Sequence, residues 1–470
     1  MLLTIEKLIY GGDGLARLSA TPSPGLSKQS SSGQSSSKPS SPQDDPRLRG
    51  KAVFVPFVLA GETVEASLTE QKPGFARAQA DSIIDSSPSR VQPACQYFGR
   101  CGGCHYQHAG YEHQLEIKKE ILRETLRRMA KLDLPFEIEV HASPPWNYRN
   151  RSRLQVQTKP KFAAGYFKLA SHELLPVEEC PISSPLINRG IAALWQSGRA
   201  AKVPDGVREV EFFANADDTQ LLIDVGCARD ARRASVREWA EEFQAAMPEI
   251  AGVVAFREPN PGDRKPGAQE RLVSVGADHL IYKTERAAYR VSAGSFFQTN
   301  RHLTDQLVNI VTAGQSGELA LDLYAGAGLF STALGDFHHT VSVESSQTSF
   351  ADLAYNQTSN GEAVQATTEQ YLARAENSGR VGKGAVLPPH ILNKPDLAVV
   401  DPPRSGLGGP VARLLANLDA PRVAYVSCDP ATLARDLVPL IAAGYRVEQV
   451  HLVDLFPQTY HLESVVHLVR

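Results

Sequence analysis

The chain has 470 residues, 42% hydrophobic and 21% charged, with 49 Lys+Arg against 52 Asp+Glu and a formal net charge of −3. That composition excludes wholesale disorder, collagen and coiled coil, and the charge excludes a uniformly basic nucleic-acid coat while leaving room for a local patch. No run of about 18 apolar residues marks a membrane helix, and Met1-Leu2-Leu3-Thr4-Ile5-Glu6 lacks the basic-then-apolar layout of a secretory signal. A cytoplasmic monomer is expected.

The first block is small and β-rich. Leu3–Leu8 alternates in strand fashion into the turn cluster Gly11-Gly12-Asp13-Gly14. Residues 19–46 are dominated by Ser, Pro, Gly and Gln, with too little apolar surface to offset the entropy of ordering, and read as a disordered insertion. Short strands resume at Lys51–Pro56, Glu62–Leu68 and Ala76–Ala80. The pattern suggests a small barrel of the kind that binds oligonucleotides.

Residues 111–131 predict a helix turning Leu115, Ile121, Leu122, Leu126 and Met129 toward a core. A mixed region follows, with strand runs at Glu209–Phe213 and Gln220–Val225. From about residue 290 strands alternate with helices, implying an α/β domain with a doubly wound, largely parallel sheet. Its strands are expected at Leu319–Tyr324, Thr340–Glu344, Asp396–Val400, Arg422–Ser427 and Arg446–Leu455, with a helix starting at Phe330–Leu334. The expected domains are 1–85, 86–288 and 289–470.

Leu321-Asp322-Leu323-Tyr324-Ala325-Gly326-Ala327-Gly328 is a strand followed by a small-residue turn. Glycines there let backbone N–H groups approach a ligand, and a following helix N-terminus adds positive charge. Glu344, closing the next strand, is placed to accept hydrogen bonds from ribose hydroxyls. A plain βα turn fits this segment equally well, and the full dinucleotide fingerprint is absent, which disfavours NAD. Asp401-Pro402-Pro403-Arg404-Ser405-Gly406-Leu407 puts an acid and a stiffened loop at the rim where open α/β sheets bind ligands. Cys428 ends the next strand and leads into a helix whose N-terminus could stabilise a thiolate, although a lone Cys at a strand end is more often an inert small hydrophobe.

Asp401–Gly406, Ser427-Cys428-Asp429-Pro430-Ala431-Thr432-Leu433-Ala434-Arg435-Asp436 and His461-Leu462-Glu463-Ser464-Val465 resemble the signatures of the RNA uracil-5-methyltransferases. So do Ser295-Phe296-Phe297-Gln298-Thr299-Asn300 and Asn147-Tyr148-Arg149-Asn150-Arg151, in the same order along the chain. The resemblance implies a Rossmann-like methyltransferase domain using S-adenosylmethionine, with Cys428 as nucleophile and Glu463 as general base. It places Gln298, Tyr324 and Glu344 on the cofactor, Asp401 beside cofactor and uracil, and Phe296 against the base. Carbon 5 of uracil is too weak a nucleophile to take a methyl group directly, and thiolate addition at carbon 6 makes it an enolate carbon. The hydrogen on carbon 5 must then leave to a base. Where members of the family often carry Asn or Thr after the glycine turn, this chain has Leu329.

Cys95, Cys101 and Cys104 fall within ten residues, and Cys180 follows 76 residues later before Pro181. This three-plus-one arrangement suits a 4Fe–4S cluster better than zinc, which more often takes two short knuckles, although spacing alone admits both. The family members acting on ribosomal RNA resemble this pattern and hold such a cluster. Cys227 lies outside it.

From Arg149 through Lys168 the chain carries Arg149, Arg151, Arg153, Lys159, Lys161 and Lys168 without an acid, interleaved with Tyr148, Phe162, Tyr166 and Phe167. Cations neutralise phosphates while aromatic faces stack unpaired bases, so Arg149 and Arg151 are expected RNA contacts; a solvated hairpin is the alternative. The first block resembles a TRAM RNA-binding domain. Barrel and cysteines together resemble the 23S ribosomal RNA branch, making that RNA or an assembling ribosomal particle the expected partner. A transfer-RNA enzyme, or a non-catalytic RNA-binding or assembly factor on the same scaffold, are the alternatives.

Overall fold

The structure, a computed structural model, describes residues 1–18, 50–259, 270–378 and 394–470; the insertion expected at 19–46 lies outside them. The described chain divides into two compact units. One holds Met1–Gly99, Cys104–Ile117 and Gln458–Tyr460, the other Arg100–Gly103, Lys118–Pro457 and His461–Arg470.

In the first unit, strands Leu2–Leu8, Asp13–Arg17, Ala52–Pro56, Thr63–Gln71 and Phe75–Asp85 close into a barrel. Alternation puts Leu3, Ile5, Val53, Val55, Val64, Ala66, Ala76 and Ala78 inside it, and closure leaves no unpaired strand edge. Beside the barrel the buried Glu62 carboxylate is held by Arg90 at 2.5 Å and by the Leu59 amide at 2.7 Å. Gln114 and Gln458 exchange two hydrogen bonds at 3.0 and 2.9 Å.

The second unit contains two large sheets. The seven-stranded sheet runs Arg271–Gly276, Ile250–Arg257, Leu221–Cys227, Val207–Ala214, Arg151–Gln157, Ala163–Phe167, Leu174–Pro176. Helices Pro185–Arg199 and Arg233–Ala246 share its core through Trp195, Trp239 and Phe243. The eight-stranded sheet runs Gly361–Gln365, Phe337–Glu344, Gly317–Leu323, Leu397–Val400, Arg422–Ser427, Glu463–Val469, Arg446–Val453, Glu139–His141. Its first five strands are parallel, as the continuous apolar runs imply for strands buried on both faces. Glu463–Val469 enters antiparallel to both neighbours.

Two expectations fail locally. Phe330–Leu334 does not start an α-helix: only a 3₁₀ turn, Ser331–Ala333, forms there. The segment is short for helix nucleation, and Asp322 takes both the Ser331 amide (3.0 Å) and hydroxyl (2.5 Å). The Tyr111–Thr125 helix buries Leu115, Ile121 and Leu122 as expected, but its extension Leu126–Ala130 is a π-helical turn. The wider turn changes the angular spacing, so Leu126 stays buried while Met129 is exposed.

Candidate active site

Cys428 and Glu463 stand at facing ends of neighbouring strands. Ser427 pairs with Ser464 in the antiparallel ladder, and the Ser464 hydroxyl donates to the Ser427 carbonyl at 3.2 Å. On the other side Val400 pairs with Tyr425, and Leu323 with Val400 and Val343. The register therefore gathers Tyr324, Glu344, Asp401, Cys428 and Glu463 along the rim where the parallel strands end, the ligand-binding edge of open α/β sheets.

The loop after Asp401 is clamped by the helix after Cys428, Pro430–Ala442. Buried Asp436 accepts from the Leu407 amide at 2.6 Å and the Tyr425 hydroxyl at 2.9 Å. Arg435 donates to the Ser405 carbonyl at 2.7 Å and the Thr432 hydroxyl to the Arg404 carbonyl at 3.3 Å. Gly406 turns with φ +71°, and a Cβ there would meet the Asp436 carboxylate at 2.3 Å, so the approach needs glycine. The same helix does not offer its N-terminal amides to Cys428, contrary to expectation. The Asp429 carboxylate caps them, accepting from Ala431 at 3.0 Å and Thr432 at 2.9 Å.

The electrostatics run against a resting thiolate. Burial first, then the Glu463 and Asp401 carboxylates, push the Cys428 thiol up to about 12, with Arg404 pulling the other way. Glu463 is 4% exposed, and burial, reinforced by Asp401, raises its carboxyl well above the usual range. Burial and then Asp322 push Asp401 up to about 7. Arg404 stands against His461, Nη2 to Nε2 3.3 Å. One thiol, two carboxyls and one guanidinium thus feel each other, a coupling of the kind that marks functional sites.

A nucleotide-like cofactor fits the adjoining rim. Tyr324 and Gly326 both take positive φ, +63° and +56°, and nothing lies within 4 Å of the position a Gly326 Cβ would occupy, leaving room for a ligand against the backbone. Glu344 accepts from the Gly326 amide at 3.0 Å and the Ser346 amide at 2.6 Å, fixing its carboxylate at the strand end.

The Ser295–Asn300 segment alternates in and out. Phe296 is 60% exposed, whereas Ser295, Phe297, Gln298 and Asn300 are buried. Phe297 packs on Tyr282 and Tyr289 with centroids 4.7 and 5.6 Å away. Asn300 donates to Ser143 Oγ and the Leu455 carbonyl at 3.0 and 3.1 Å, anchoring the loop. Arg151 is a correction. Instead of facing solvent it donates to the Ser295 carbonyl at 2.6 Å, pairs with Glu211 at 3.6 Å and lies 4.3 Å over the Phe213 ring. Its charge is answered inside the fold, so it positions the loop carrying Phe296. Arg149 is half-buried, its backbone bridged to Ser183 and Asn300. Along the rest of the basic stretch Arg153 pairs with Glu211 at 2.9 Å, Lys159 with Asp205 at 2.7 Å, and Lys168 with Glu173.

None of the six cysteines is in a disulfide among the described residues. Cys95 and Cys104 belong to the first unit, Cys101 and Cys180 to the second. The Cys95 amide donates to Gln107 at 3.1 Å, and Cys101 bridges Lys168. Asn188 grips Cys180 from both sides, accepting from its amide at 2.8 Å and donating to its carbonyl at 3.0 Å. Cys227 is buried in the core of the seven-stranded sheet.

Asp322 and Asp436 were not among the residues the sequence singled out. The available signal was an acid in a segment otherwise apolar enough to be buried, as in Leu321-Asp322-Leu323.

Residues 268–470 match the tRNA (Uracil-5-)-methyltransferase family model, and residues 1–80 match the TRAM domain. An uncharacterized RNA methyltransferase of Aquifex aeolicus is 31% identical over 99% of this chain and 97% of its own. The 23S rRNA (uracil(1939)-C(5))-methyltransferase RlmD of Pseudomonas fluorescens is 32% identical over 89% of each chain. The chain belongs to the RNA uracil-5-methyltransferase family. Its fold matches that of another uracil-5-methyltransferase structure, the Pyrococcus abyssi tRNA (uracil-54, C5)-methyltransferase with S-adenosyl-L-homocysteine, at TM-score 0.69 over 100% of both chains and 23% identity. Within this uracil-5-methyltransferase, Tyr324, Glu344, Asp401, Cys428 and Glu463 all lie in the matched residues 268–470.

Proposed function

We propose that the protein transfers a methyl group from S-adenosylmethionine to carbon 5 of a uridine in 23S ribosomal RNA. The observation that carries this reading is the meeting of Cys428 and Glu463 at facing strand ends, beside Asp401 and its clamped loop. The cofactor supplies a methyl carbon made electrophilic by its sulfonium. In this reading Glu344 binds the ribose hydroxyls, Gly326 leaves the backbone open to the ligand, and Tyr324 and Gln298 contact the cofactor.

Uracil stacks on exposed Phe296. Cys428 loses its proton to solvent in the bound complex, and the sulfur bonds to carbon 6 as the C5=C6 π pair moves toward carbon 5 and the carbonyl oxygen. Carbon 5 then takes the methyl group as the methyl–sulfur bond breaks. Glu463, in its carboxylate form, takes the hydrogen from carbon 5 as a proton, the double bond re-forms, and the thiolate leaves and takes a proton from solvent. Because the thiol is held up near 12 before substrate arrives, deprotonation belongs to the bound complex. The target base must leave its stack to reach Cys428, so it sits in a loop or single strand.

Cys95, Cys101, Cys104 and Cys180 hold a 4Fe–4S cluster in this reading. Four cysteines outside any disulfide supply the residue types of its donor set, and the Asn188 grip presets the Cys180 loop. Methyl transfer moves no net electrons, so the cluster serves the fold and the RNA surface. The branch assignment is supported by the Pseudomonas fluorescens relative and the match to the TRAM domain.

The test incubates the purified protein with radiolabelled S-adenosylmethionine and total RNA from a strain lacking the gene, with Cys428→Ala in parallel. The expected result is 5-methyluridine in large ribosomal RNA, lost in the variant. Label in transfer RNA overturns the branch, and no label in either RNA overturns the reading as an enzyme.

A further inference from the structure

At the edge strand of the eight-stranded sheet, three ligating side chains converge. The strand Glu139–His141 pairs in parallel with Arg446–Val453, with His451 opposite Glu139 and Val453 opposite His141. Residues two apart share a face, and residues in register share it across the ladder, so the pleat puts Glu139, His141 and His451 on one side. His141 Nε2 lies 3.1 Å from His451 Nδ1, and His451 Nδ1 lies 3.4 Å from Glu139 Oε2. One ligand atom from each residue falls within 4.8 Å of the other two.

The two measured separations are close to those expected between ligands of one ion. A tetrahedral ion bonded at about 2.0–2.1 Å has edges of about 3.3–3.4 Å. Gln306 lies against His141 Nδ1 at 2.6 Å; with its amide oxygen turned to accept from Nδ1–H, His141 has the tautomer that leaves Nε2 for an ion. His451 is 8% exposed and Glu139 61% exposed, so the site is walled on the imidazole side and open on the carboxylate side.

We propose that Glu139, His141 and His451 bind a divalent transition-metal ion, zinc by the chemistry of two imidazoles and one carboxylate, with the fourth position taken by water. The ion fastens the three-residue strand Glu139–His141, whose ladder is otherwise only three residue pairs long, to the edge of the sheet.

The experiment uses the full chain with its iron loaded under anaerobic conditions, stripped of loosely held metal and titrated with zinc by calorimetry. Zinc X-ray absorption is recorded on the product. About one zinc per chain is expected, in a nitrogen and oxygen shell near 2.0 Å, with affinity at least tenfold weaker in Glu139→Ala and binding lost in His141→Ala. Zinc should also raise the Tm of the wild type and not that of His141→Ala. Glu139 is exposed, so its variant reports on ligation even if His141→Ala fails to fold. No zinc uptake, a sulfur shell near 2.3 Å, or equal affinity in wild type and Glu139→Ala overturns the proposal.

Discussion

Cys428 and Glu463 share one electrostatic problem: each makes the other's charge harder to hold. The thiol is pushed to about 12 by burial and by two carboxylates, so it resists alkylation at neutral pH and gains reactivity only as the pH rises toward that value. Iodoacetamide labelling of Cys428, followed by mass spectrometry, should therefore climb steadily between pH 7 and 10. In Glu463→Gln the negative neighbour is gone, and labelling in the alkaline range should be faster than in the wild type; equal rates would mean the two groups do not interact. The same variant should lose on the order of 10²–10⁴ in methyl transfer, the usual contribution of a general base. Under the proposed mechanism it should also accumulate protein–RNA adduct stable to denaturing gels, because the step assigned to Glu463 follows bond formation. At this scale the sequence was informative where residue type and neighbours together carried the chemistry, as in Ser427-Cys428-Asp429-Pro430. It was misleading for Arg151, whose partner Glu211 arrives from a distant strand. Nor did it show that Asp429 would consume the helix amides expected to serve Cys428.

Elements hold these residues in place by exchanging backbone contacts. The Asp401–Leu407 loop has little structure of its own and borrows it from the Pro430–Ala442 helix through Asp436, Arg435 and Thr432. Asp436→Ala orphans the Leu407 amide and the Tyr425 hydroxyl, each at a penalty of about 1–3 kcal/mol. The variant should fold with a lower denaturant midpoint and lose methyl transfer although no reacting group has changed. Arg151→Ala leaves the Ser295 carbonyl without its donor, a penalty of about 1–3 kcal/mol, while Glu211 keeps Arg153 at 2.9 Å. Since Arg151 faces inward, the slope of log Kd for RNA against log salt should match the wild type, whereas deleting a phosphate contact would reduce it by roughly 0.7–0.9. Strands were legible because burial on both faces demands long apolar runs, visible in Leu319–Tyr324 and Arg422–Ser427. The missing helix after Gly328 was not, since the competing bonds from Ser331 to Asp322 depend on where the strand delivers that acid.

Over the whole molecule, buried acids make stability depend on pH. Burial pushes Asp322 from 3.8 up to about 7, with the Ser331 hydrogen bonds opposing. A folded-state value above the unfolded one means that the folded protein holds the proton more tightly. Asp322 is therefore tolerated without penalty below about pH 4, and its burial costs progressively more up to about pH 7, reaching on the order of 4 kcal/mol. The Tm of cofactor-free protein should fall between pH 5 and pH 8 by more in the wild type than in Asp322→Asn, whose amide oxygen can still accept from Ser331. Parallel falls would remove Asp322 as the cause. The barrel and the α/β alternation were legible from period and turn residues. The placement of Glu139–His141 at the far edge of a sheet whose other strands begin at Gly317 was not, because nothing in so short a segment specifies a partner more than 300 residues away.

The strand Glu463–Val469 is laddered on both sides, to Arg422–Ser427 and to Arg446–Val453. A segment bonded on both flanks cannot fray by itself, so its amides should exchange with deuterium only when the surrounding sheet opens as a unit. Glu463, the proposed base at its first residue, then cannot drift away while Cys428, the proposed nucleophile, stays in place. Catalytic competence should disappear together with the tertiary signal along a denaturant titration, leaving no population of folded but idle molecules.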